Sequence, residues 1–409
     1  MRQHLRENAL CLLMASAAAA TVGWLGLYGF SWTDYEAEAK PAFTALLHGH
    51  VLAFLRLAPV YGGSLLERAP FALAAGAWGG GPLAVYRLVA LPCLLAAIAL
   101  AAWLCASMRR AGASRLARAV AVGLCVANPL VLPALEVGHP EELLGGVLCV
   151  AAVLAATRQR SLLAAVLLGL AIANKEWALL AVGPVLLALC AQRVRTLVLA
   201  ALLAAALLAP FVLASAGGLR GELGASSHTG AIFQPWQLWW FFGAPNHVPA
   251  SAENANHMQL AAALDTRPGY RIAPRWIEGL AHPLILALAL PLTLLAWPRR
   301  RRAEAPLLLL ALLLALRCAL DPWDFAYYPI PFLLALLAWE TTVFRRPPLL
   351  SLAASASLWT LFEWLPKHAS PDVVSASFAA FAVLSILALG LRLYASRGEP
   401  RRRSTARID

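Results

Sequence analysis

The stretch ALCLLMASAAAATVGWLGLYGFSWTDYEAE, residues 9–38, sets a long apolar run directly before three carboxylates. Residues 9–30 carry no charge, and a helix needs ~20 apolar residues to cross a bilayer. Arg2 and Arg6 precede this run, which predicts that the helix begins in the cytoplasm. We therefore expect the acidic run at residues 34–38 to lie at the outer surface of the membrane.

The composition of the whole chain is typical of a membrane protein. Of its 409 residues, 61% are hydrophobic and 13% are charged, whereas about 25% of the residues in a soluble domain are charged. The seven cysteines all lie in apolar segments, and we expect them to act as small buried side chains. These features predict an all-α, polytopic membrane protein with a single transmembrane domain over residues 1–409.

The distribution of arginine predicts the topology. Arginine supplies 30 of the 33 basic residues, and clusters of it separate apolar runs, which is typical of cytoplasmic loops. About twelve transmembrane helices with both termini in the cytoplasm satisfy this pattern. Membrane topology accounts for the net charge of +12, so we expect no nucleic-acid partner. The excess of arginine over lysine and the many alanines favour a bacterial plasma membrane.

Three segments lie outside the predicted transmembrane helices. Residues 31–81 form the first extracytoplasmic loop, which contains the acidic motif and, over residues 39–57, an amphipathic helical pattern. Residues 216–278 form a second long extracytoplasmic loop. Residues 397–409 form an arginine-rich, disordered cytoplasmic tail.

The apolar stretch at residues 161–190 has two interpretations. One tilted helix would bury the polar residues 174–176 in the middle of the bilayer and would put Arg158 and Arg193 on opposite sides. A hairpin of two short helices keeps both arginines in the cytoplasm and is therefore favoured. Helices this short must end where water or protein satisfies their backbone, so residues 174–176 are expected to line an outer cavity.

Asp34 and Glu36 are the first candidate catalytic residues. Two positions apart, they point in different directions on a helix but share a face in an extended segment, and the sequence leaves this open. One of them could act as a general base or bind a divalent metal ion, the only cofactor left open. The competing interpretation is an ordinary solvated acidic loop.

Other acidic residues lie in short turns that are predicted to open on the same side of the membrane. His139 and Glu141 belong to one turn, and Asp321 and Asp324 belong to another. Because short turns keep side chains near the helix ends, several acids could converge on one cavity. These four residues are candidates for binding a sugar or an acceptor, and the alternative is that they are polar helix ends.

Arg317 and Lys175 are candidate ligands for a lipid phosphate. A guanidinium can hold a phosphate through two hydrogen bonds, and Lys175 is one of only three lysines. The alternative for Arg317 is a local ion pair with Asp321 or Asp324. No recurring histidine spacing indicates a metal site, since His48 and His50 do not share a helix face.

An acidic pair after the first span, an amphipathic helix, short broken helices and about a dozen spans resemble the GT-C membrane glycosyltransferases. The similarity is closest to their bacterial polyprenyl-phosphate-mannose branch. It implies that an acidic residue of the first outer loop is the base and that the donor is a polyprenyl-phosphate sugar. Carried over, this points to Asp34, with Glu36 as the alternative. The sequence departs from the family in having Asp-x-Glu rather than Asp-x-Asp or Asp-Glu.

The expected activity is therefore transfer of a hexose, mannose-like, from a polyprenyl-phosphate donor to an extracytoplasmic glycan, lipid or protein acceptor. The alternative is a secondary transporter with twelve spans, or a flippase for lipid-linked sugars. Loop lengths disfavour a transporter built from two halves, because only residues 191–195 join spans 6 and 7.

Overall fold

A computed structural model describes residues 2–28, 34–59, 61–215, 232–245 and 271–395 of the chain. Most of the predicted second outer loop, residues 216–231 and 246–270, lies outside the described residues, as does the predicted tail at 397–409. The described chain is helical almost throughout, which confirms the all-α prediction.

The first half of the chain forms a series of helices, most of them rich in alanine and leucine, which favour helix. In chain order they are α1 (Arg2–Tyr28), α2 (Lys40–Leu47), α3 (Val51–Leu57), α4 (Gly62–Ala77), α5 (Pro82–Arg110), α6 (Arg115–Val126), α7 (Val131–Val137), α8 (Pro140–Thr157), α9 (Ser161–Asn174), α10 (Val182–Ala188) and α11 (Arg193–Ala214). Tyr35–Ala39 forms a π-helical turn ahead of α2, and Glu176–Ala181 forms a 3-10 turn ahead of α10.

The second half combines further helices with a very small sheet. The helices are α12 (Arg275–Ala296), α13 (Ala305–Leu320), α14 (Ile330–Val343), α15 (Leu349–Trp359) and α16 (Pro371–Tyr394). The antiparallel strands β1 (Ile232–Phe233), β2 (Ala244–Pro245) and β3 (Arg271–Ile272) are two residues long, with β3 in the centre.

Seven helical segments among the described residues are long and apolar enough to cross a membrane. They are Glu7–Tyr28, Pro82–Arg110, Arg115–Val137, Pro140–Thr157, Arg193–Ala214, Arg275–Arg299 and Pro371–Tyr394. Four shorter apolar helical segments accompany them, at Ser161–Asn174, Glu176–Ala188, Ala305–Leu320 and Ile330–Val343. This agrees with a multi-pass membrane protein, while the count of twelve crossings stays a prediction.

Helix α8 lies at the centre of the bundle. Every residue from 140 to 156 is buried, and α5, α9 and α14 pack around it. A helix that is apolar on all sides is expected at such a position. The outermost helices are different, because only 17% of the most apolar stretch is buried in α11, and the same fraction is buried in α12. The N-terminus of α8 therefore brings Glu141 and Glu142 into the middle of one end of the bundle.

The first outer loop folds against the bundle. The predicted amphipathic segment at residues 39–57 is divided into α2 and α3 by a turn in which Gly49 has a φ of +75°. Helix α4 follows and packs on α5 and α9, which leaves Arg68 only 2% exposed. This segment thus supplies buried side chains to the end of the bundle where α8 begins.

The hairpin interpretation of residues 161–190 agrees with the structure. Lys175 is extended, with φ −155° and ψ 136°, so the helix breaks where the hairpin requires it. At the other end of the two arms, the Gln159 amide donates to the Ala188 carbonyl at 3.0 Å and accepts from the Cys190 NH at 2.9 Å. The start of the first arm and the end of the second are therefore on the same side.

Cys11 and Cys105 form a disulfide that joins α1 to α5. Both side chains are buried, as expected, but they are bonded to each other, which the sequence analysis did not predict. A search for cysteines near outer loops misses the bond, because both residues lie within long apolar helices. Four of the other five cysteines are buried as expected, but the expectation is wrong for Cys190, which is exposed.

Candidate functional site

Seven ionisable side chains meet where α8 begins, and we call them the charged cluster. Its members are Asp34, Arg68, His139, Glu141, Glu142, Lys175 and Arg317. They come from the first outer loop, from the start of α8, from the break after α9 and from the end of α13. Apart from Asp34 and Lys175, which are partly exposed, these side chains are buried, so they must satisfy one another's charges.

The acidic run reaches the cluster because Gly138 leaves room for it. Gly138 ends α7 with a φ of +108°, a conformation that L-residues rarely adopt. A Cβ at this position would lie 2.4 Å from Cβ of Tyr35 and 2.6 Å from its backbone nitrogen. The absence of a side chain therefore lets the backbone next to Asp34 approach the turn that carries His139.

His139 joins two carboxylates. Its Nε2 lies 3.2 Å from Oδ2 of Asp34, and its Nδ1 lies 2.6 Å from Oε1 of Glu141. Burial alone would lower the pKa of His139, but the charge of Glu141 and the hydrogen bonds to Asp34 and Glu141 outweigh it and raise the pKa to about 10. His139 is therefore a cation at neutral pH.

Asp34 and Glu36 have different surroundings, because residues 34–40 are helical and the two side chains point apart. The side chain of Asp34 is 25% exposed and contacts His139. That of Glu36 is 58% exposed and pairs with Lys40 at 3.0 Å, one helical turn away. Of the two predicted catalytic candidates, only Asp34 belongs to the charged cluster.

Glu38 also has a partner that the sequence did not indicate. Its Oε2 accepts a hydrogen bond of 2.6 Å from the hydroxyl of Tyr61, whose ring lies beside His139 at 5.8 Å between centroids. The competing interpretation, an ordinary solvated acidic loop, is therefore wrong for Glu38. Tyr61 supplies both the hydrogen bond and a surface beside the cluster.

Glu141 and Glu142 are each held by cations. The guanidinium of Arg68 lies 3.3 Å from Oε2 of Glu141, and Nζ of Lys175 lies 3.6 Å from Glu141 and 3.4 Å from Glu142. Both carboxylates are at most 1% exposed. Both carboxylate oxygens of Glu141, which was predicted to bind a sugar or an acceptor, therefore face neighbouring cationic side chains.

Arg317 pairs with Glu142 and not with the nearby aspartates. Its Nη1 and Nη2 each donate to a different oxygen of Glu142 at 3.2 Å. The alternative interpretation, a local ion pair with Asp321 or Asp324, is wrong because Arg317 on α13 faces Glu142 on α8. Arg317 is 3% exposed, and its guanidinium lies 4.6 Å from the ring centroids of both Trp177 and Tyr328.

Asp321 and Asp324 lie beside the cluster without joining it. Oδ2 of Asp321 is 3.6 Å from Nε2 of His282, and its Oδ1 accepts a hydrogen bond from the backbone NH of Trp323 at 3.0 Å. Asp324 is 1% exposed, and neither carboxylate oxygen has a hydrogen-bond partner among the described residues. Burial, together with the charge of Asp321, holds the pKa of Asp324 well above its usual range.

Arg68 and Glu142 belong to the cluster but were not among the predicted site residues. Arg68 is the more informative of the two. A signal was present, because Glu67 and Arg68 are the only charged residues in the 16 residues of α4. A buried charged pair in an apolar helix indicates a partner elsewhere in the protein. Burial raises the pKa of the adjacent Glu67 to about 8, against the opposing charge of Arg68.

The donor set does not fit a divalent metal ion. Among the described residues no group of three histidine, cysteine or acidic side chains is arranged to hold one. Asp34 faces a protonated histidine, and the cluster contains four cations against three carboxylates. Both ring nitrogens of His139 already face carboxylates, those of Asp34 and Glu141, so this histidine offers no free nitrogen to a metal ion.

Comparison with known proteins adds no relative. No protein-family model matches this sequence, and no curated protein matches it. The resemblance to GT-C enzymes therefore stays a prediction from the sequence, drawn from the expected spans and the acidic segment that follows the first of them.

Proposed function

We propose that this chain is a GT-C-like membrane glycosyltransferase with about twelve spans. It moves a hexose, mannose-like, from a polyprenyl-phosphate donor to an extracytoplasmic glycan, lipid or protein acceptor. The observation that carries the proposal is the contact of Asp34 with the buried cation His139. Asp34 is a partly exposed carboxylate, and it follows the long apolar helix α1, which ends at Tyr28, by six residues. An enzyme that uses a membrane-anchored donor needs a reactive group at this depth.

Asp34 is the general base of the proposed reaction. The hydroxyl of the acceptor loses its proton to Asp34 while its oxygen bonds to the anomeric carbon of the sugar. The bond from that carbon to the phosphate oxygen breaks, and the polyprenyl phosphate leaves with the electron pair. His139, held on its other side by Glu141, orients the carboxylate of Asp34 toward the acceptor.

Lys175 is the better candidate for the leaving phosphate. Its side chain is 12% exposed, and its contacts with Glu141 and Glu142 exceed 3.3 Å. A lysine ammonium has three donors, which leaves it able to bind a phosphate oxygen as well. Arg317 already uses two donors on Glu142, so we assign it the role of holding Glu142 beside Lys175.

The test compares Asp34→Asn with Glu36→Gln, which removes a carboxylate two positions away. Membranes that contain each variant are incubated with a labelled polyprenyl-phosphate mannose, and transfer to endogenous acceptors is measured. Asp34→Asn should lower the rate by about 10²–10⁴, the usual contribution of a general base. Glu36→Gln should stay near the wild-type rate, because the side chain of Glu36 is 58% exposed and, in the described part of the chain, pairs with Lys40. Full transfer by both variants would overturn the proposal.

One observation favours the alternative, a transporter. Asp324 is a buried carboxylate with no hydrogen-bond partner among the described residues, and such groups carry protons in many transport proteins. Proteoliposomes that contain only this protein distinguish the two functions. Uptake of a solute driven by a proton gradient, and abolished in Asp324→Asn, would replace the glycosyltransferase proposal.

A further inference from the structure

A cavity of about 460 Å³ opens between α1 and α6, at the end of the bundle where α6 begins. Its apolar wall consists of Leu10, Cys11, Met14, Ala119 and Val122. The volume lies within the ~300–1,000 Å³ typical of ligand pockets. The predicted topology puts this end on the arginine-rich side of the membrane, so the cavity is separate from the charged cluster.

The side of the cavity is apolar and accessible. Leu10 is 50% exposed and Leu116 is 66% exposed, and both line the opening. In a helix that crosses a membrane, exposed leucines contact lipid tails. The cavity is therefore open to an acyl chain from the bilayer.

The polar end of the cavity carries an excess of positive charge. Glu7 pairs with Nη1 of Arg118 at 3.3 Å. Arg118 is 8% exposed, and its Nε has no hydrogen-bond partner among the described residues. Arg115 also lines the cavity and is exposed, and in the described part of the chain it makes no ion pair or hydrogen bond through its side chain. Glu7 thus neutralises Arg118, and the charge of Arg115 is left to give this end of the cavity its positive charge.

The backbone adds to this positive potential. Arg115 is the first residue of α6, a helix of 12 residues, and Ser114 caps it by accepting a hydrogen bond from the backbone NH of Ala117. The N-terminal end of a helix attracts anions through its dipole and its free NH groups. The arginine side chains and the helix end therefore favour the same type of ligand.

We propose that this cavity binds one phospholipid with a net negative headgroup, from the leaflet on the arginine-rich side. The phosphate contacts the exposed side chain of Arg115 at the start of α6, beside the pair of Glu7 and Arg118, and an acyl chain lies along Leu10, Met14 and Val122. The apolar wall distinguishes this ligand from free phosphate, because only a lipid fills both parts of the cavity. The excess arginine disfavours a zwitterionic headgroup, whose ammonium group it would repel.

The test uses the purified full-length chain in detergent, with lipid binding followed by native mass spectrometry. The probes are dioleoyl phosphatidylglycerol and dioleoyl phosphatidylcholine, which share their acyl chains and differ in headgroup charge. Arg115→Gln removes the unpaired arginine, and Ala119→Trp fills the apolar part. Arg160→Gln is the matched control, since Arg160 is exposed on the same predicted side and does not line the cavity.

Phosphatidylglycerol should bind about tenfold more tightly than phosphatidylcholine, and Arg115→Gln should lose about tenfold in affinity for it, as expected for a charge-assisted hydrogen bond. Ala119→Trp should also weaken the binding of phosphatidylglycerol, and Arg160→Gln should not. Equal affinity for the two lipids, or unchanged binding in both cavity variants, would overturn the proposal. Displacement of phosphatidylglycerol by millimolar inorganic phosphate would also overturn it, because the acyl chain would then contribute nothing.

Discussion

Arg317 donates one hydrogen bond to each carboxylate oxygen of Glu142, at 3.2 Å, across 175 positions of sequence. The pair ties the end of α13 to the start of α8. Because both side chains are at most 4% exposed, neither charge can turn to water if the other is removed.

Arg317→Met should therefore destabilise the protein by about 3–5 kcal/mol, the usual cost of leaving one member of a buried ion pair alone. Arg317→Lys keeps the charge but cannot donate to both oxygens of Glu142 in the same bidentate geometry, so its loss of stability should be smaller than that of Arg317→Met. Thermal unfolding of the purified proteins in detergent measures both. Equal melting temperatures for Arg317→Met and the wild type would contradict the described pair.

Deprotonation of His139 should make the folded protein less stable at alkaline pH. Its pKa is raised from the ordinary 6.5 to about 10, so the folded protein binds its proton more tightly than the unfolded chain does. The stabilisation is fully present below pH 6.5 and is lost as the pH rises through about 10. The difference in melting temperature between the wild type and His139→Gln should shrink over this interval.

Other groups that titrate above neutral pH are common to both proteins, so the difference between them isolates His139. A difference that is constant from pH 6.5 to about 10 would mean that His139 is not the cation described.

Gly138→Ala should be more harmful than the same substitution at Gly112. Both glycines have positive φ values, +108° and +80°, so both substitutions introduce backbone strain of about 1–3 kcal/mol. At Gly138 the new Cβ would also meet Tyr35 at 2.4 Å, whereas nothing lies within 4 Å of it at Gly112.

The variants can be compared by thermal unfolding and by transfer activity. Gly138→Ala should melt at a lower temperature than Gly112→Ala and should lose transfer, because Asp34 is next to Tyr35. Identical behaviour of the two variants would show that Tyr35 is not packed against this turn.

Chemical labelling tests the predicted topology. Cys190 is exposed after α10, on the side assigned to the cytoplasm, and the other free cysteines are buried. A maleimide that cannot cross membranes should label Cys190 only after the cells are opened. The variant Glu36→Cys should be labelled in intact cells, and the reverse pattern would invert the topology.

The sequence predicted the positions of most helices, but it did not predict which charged side chains pair with each other. Charge sorting across the membrane was enough to find the break at Lys175 and to expect His139 and Glu141 on the same side as Asp34. The ion pairs depend on how each helix is rotated, which hydropathy does not encode. Arg317 illustrates this, because Asp321 is four residues away and yet Glu142 is its partner. The contact of Glu38 with Tyr61 likewise depends on how the first outer loop folds back.

The complete burial of α8 has a consequence for how this helix tolerates substitution. Ala152 on α8 is fully buried, whereas α11 turns most of its surface outward. In the outer helices hydrophobicity alone governs which residues are accepted, since lipid tails adapt to any shape. In α8 the limit is volume, because its neighbours are fixed side chains. The helix that carries Glu141 and Glu142 thus obeys the packing rules of a soluble protein's interior, although it lies in the middle of a membrane protein.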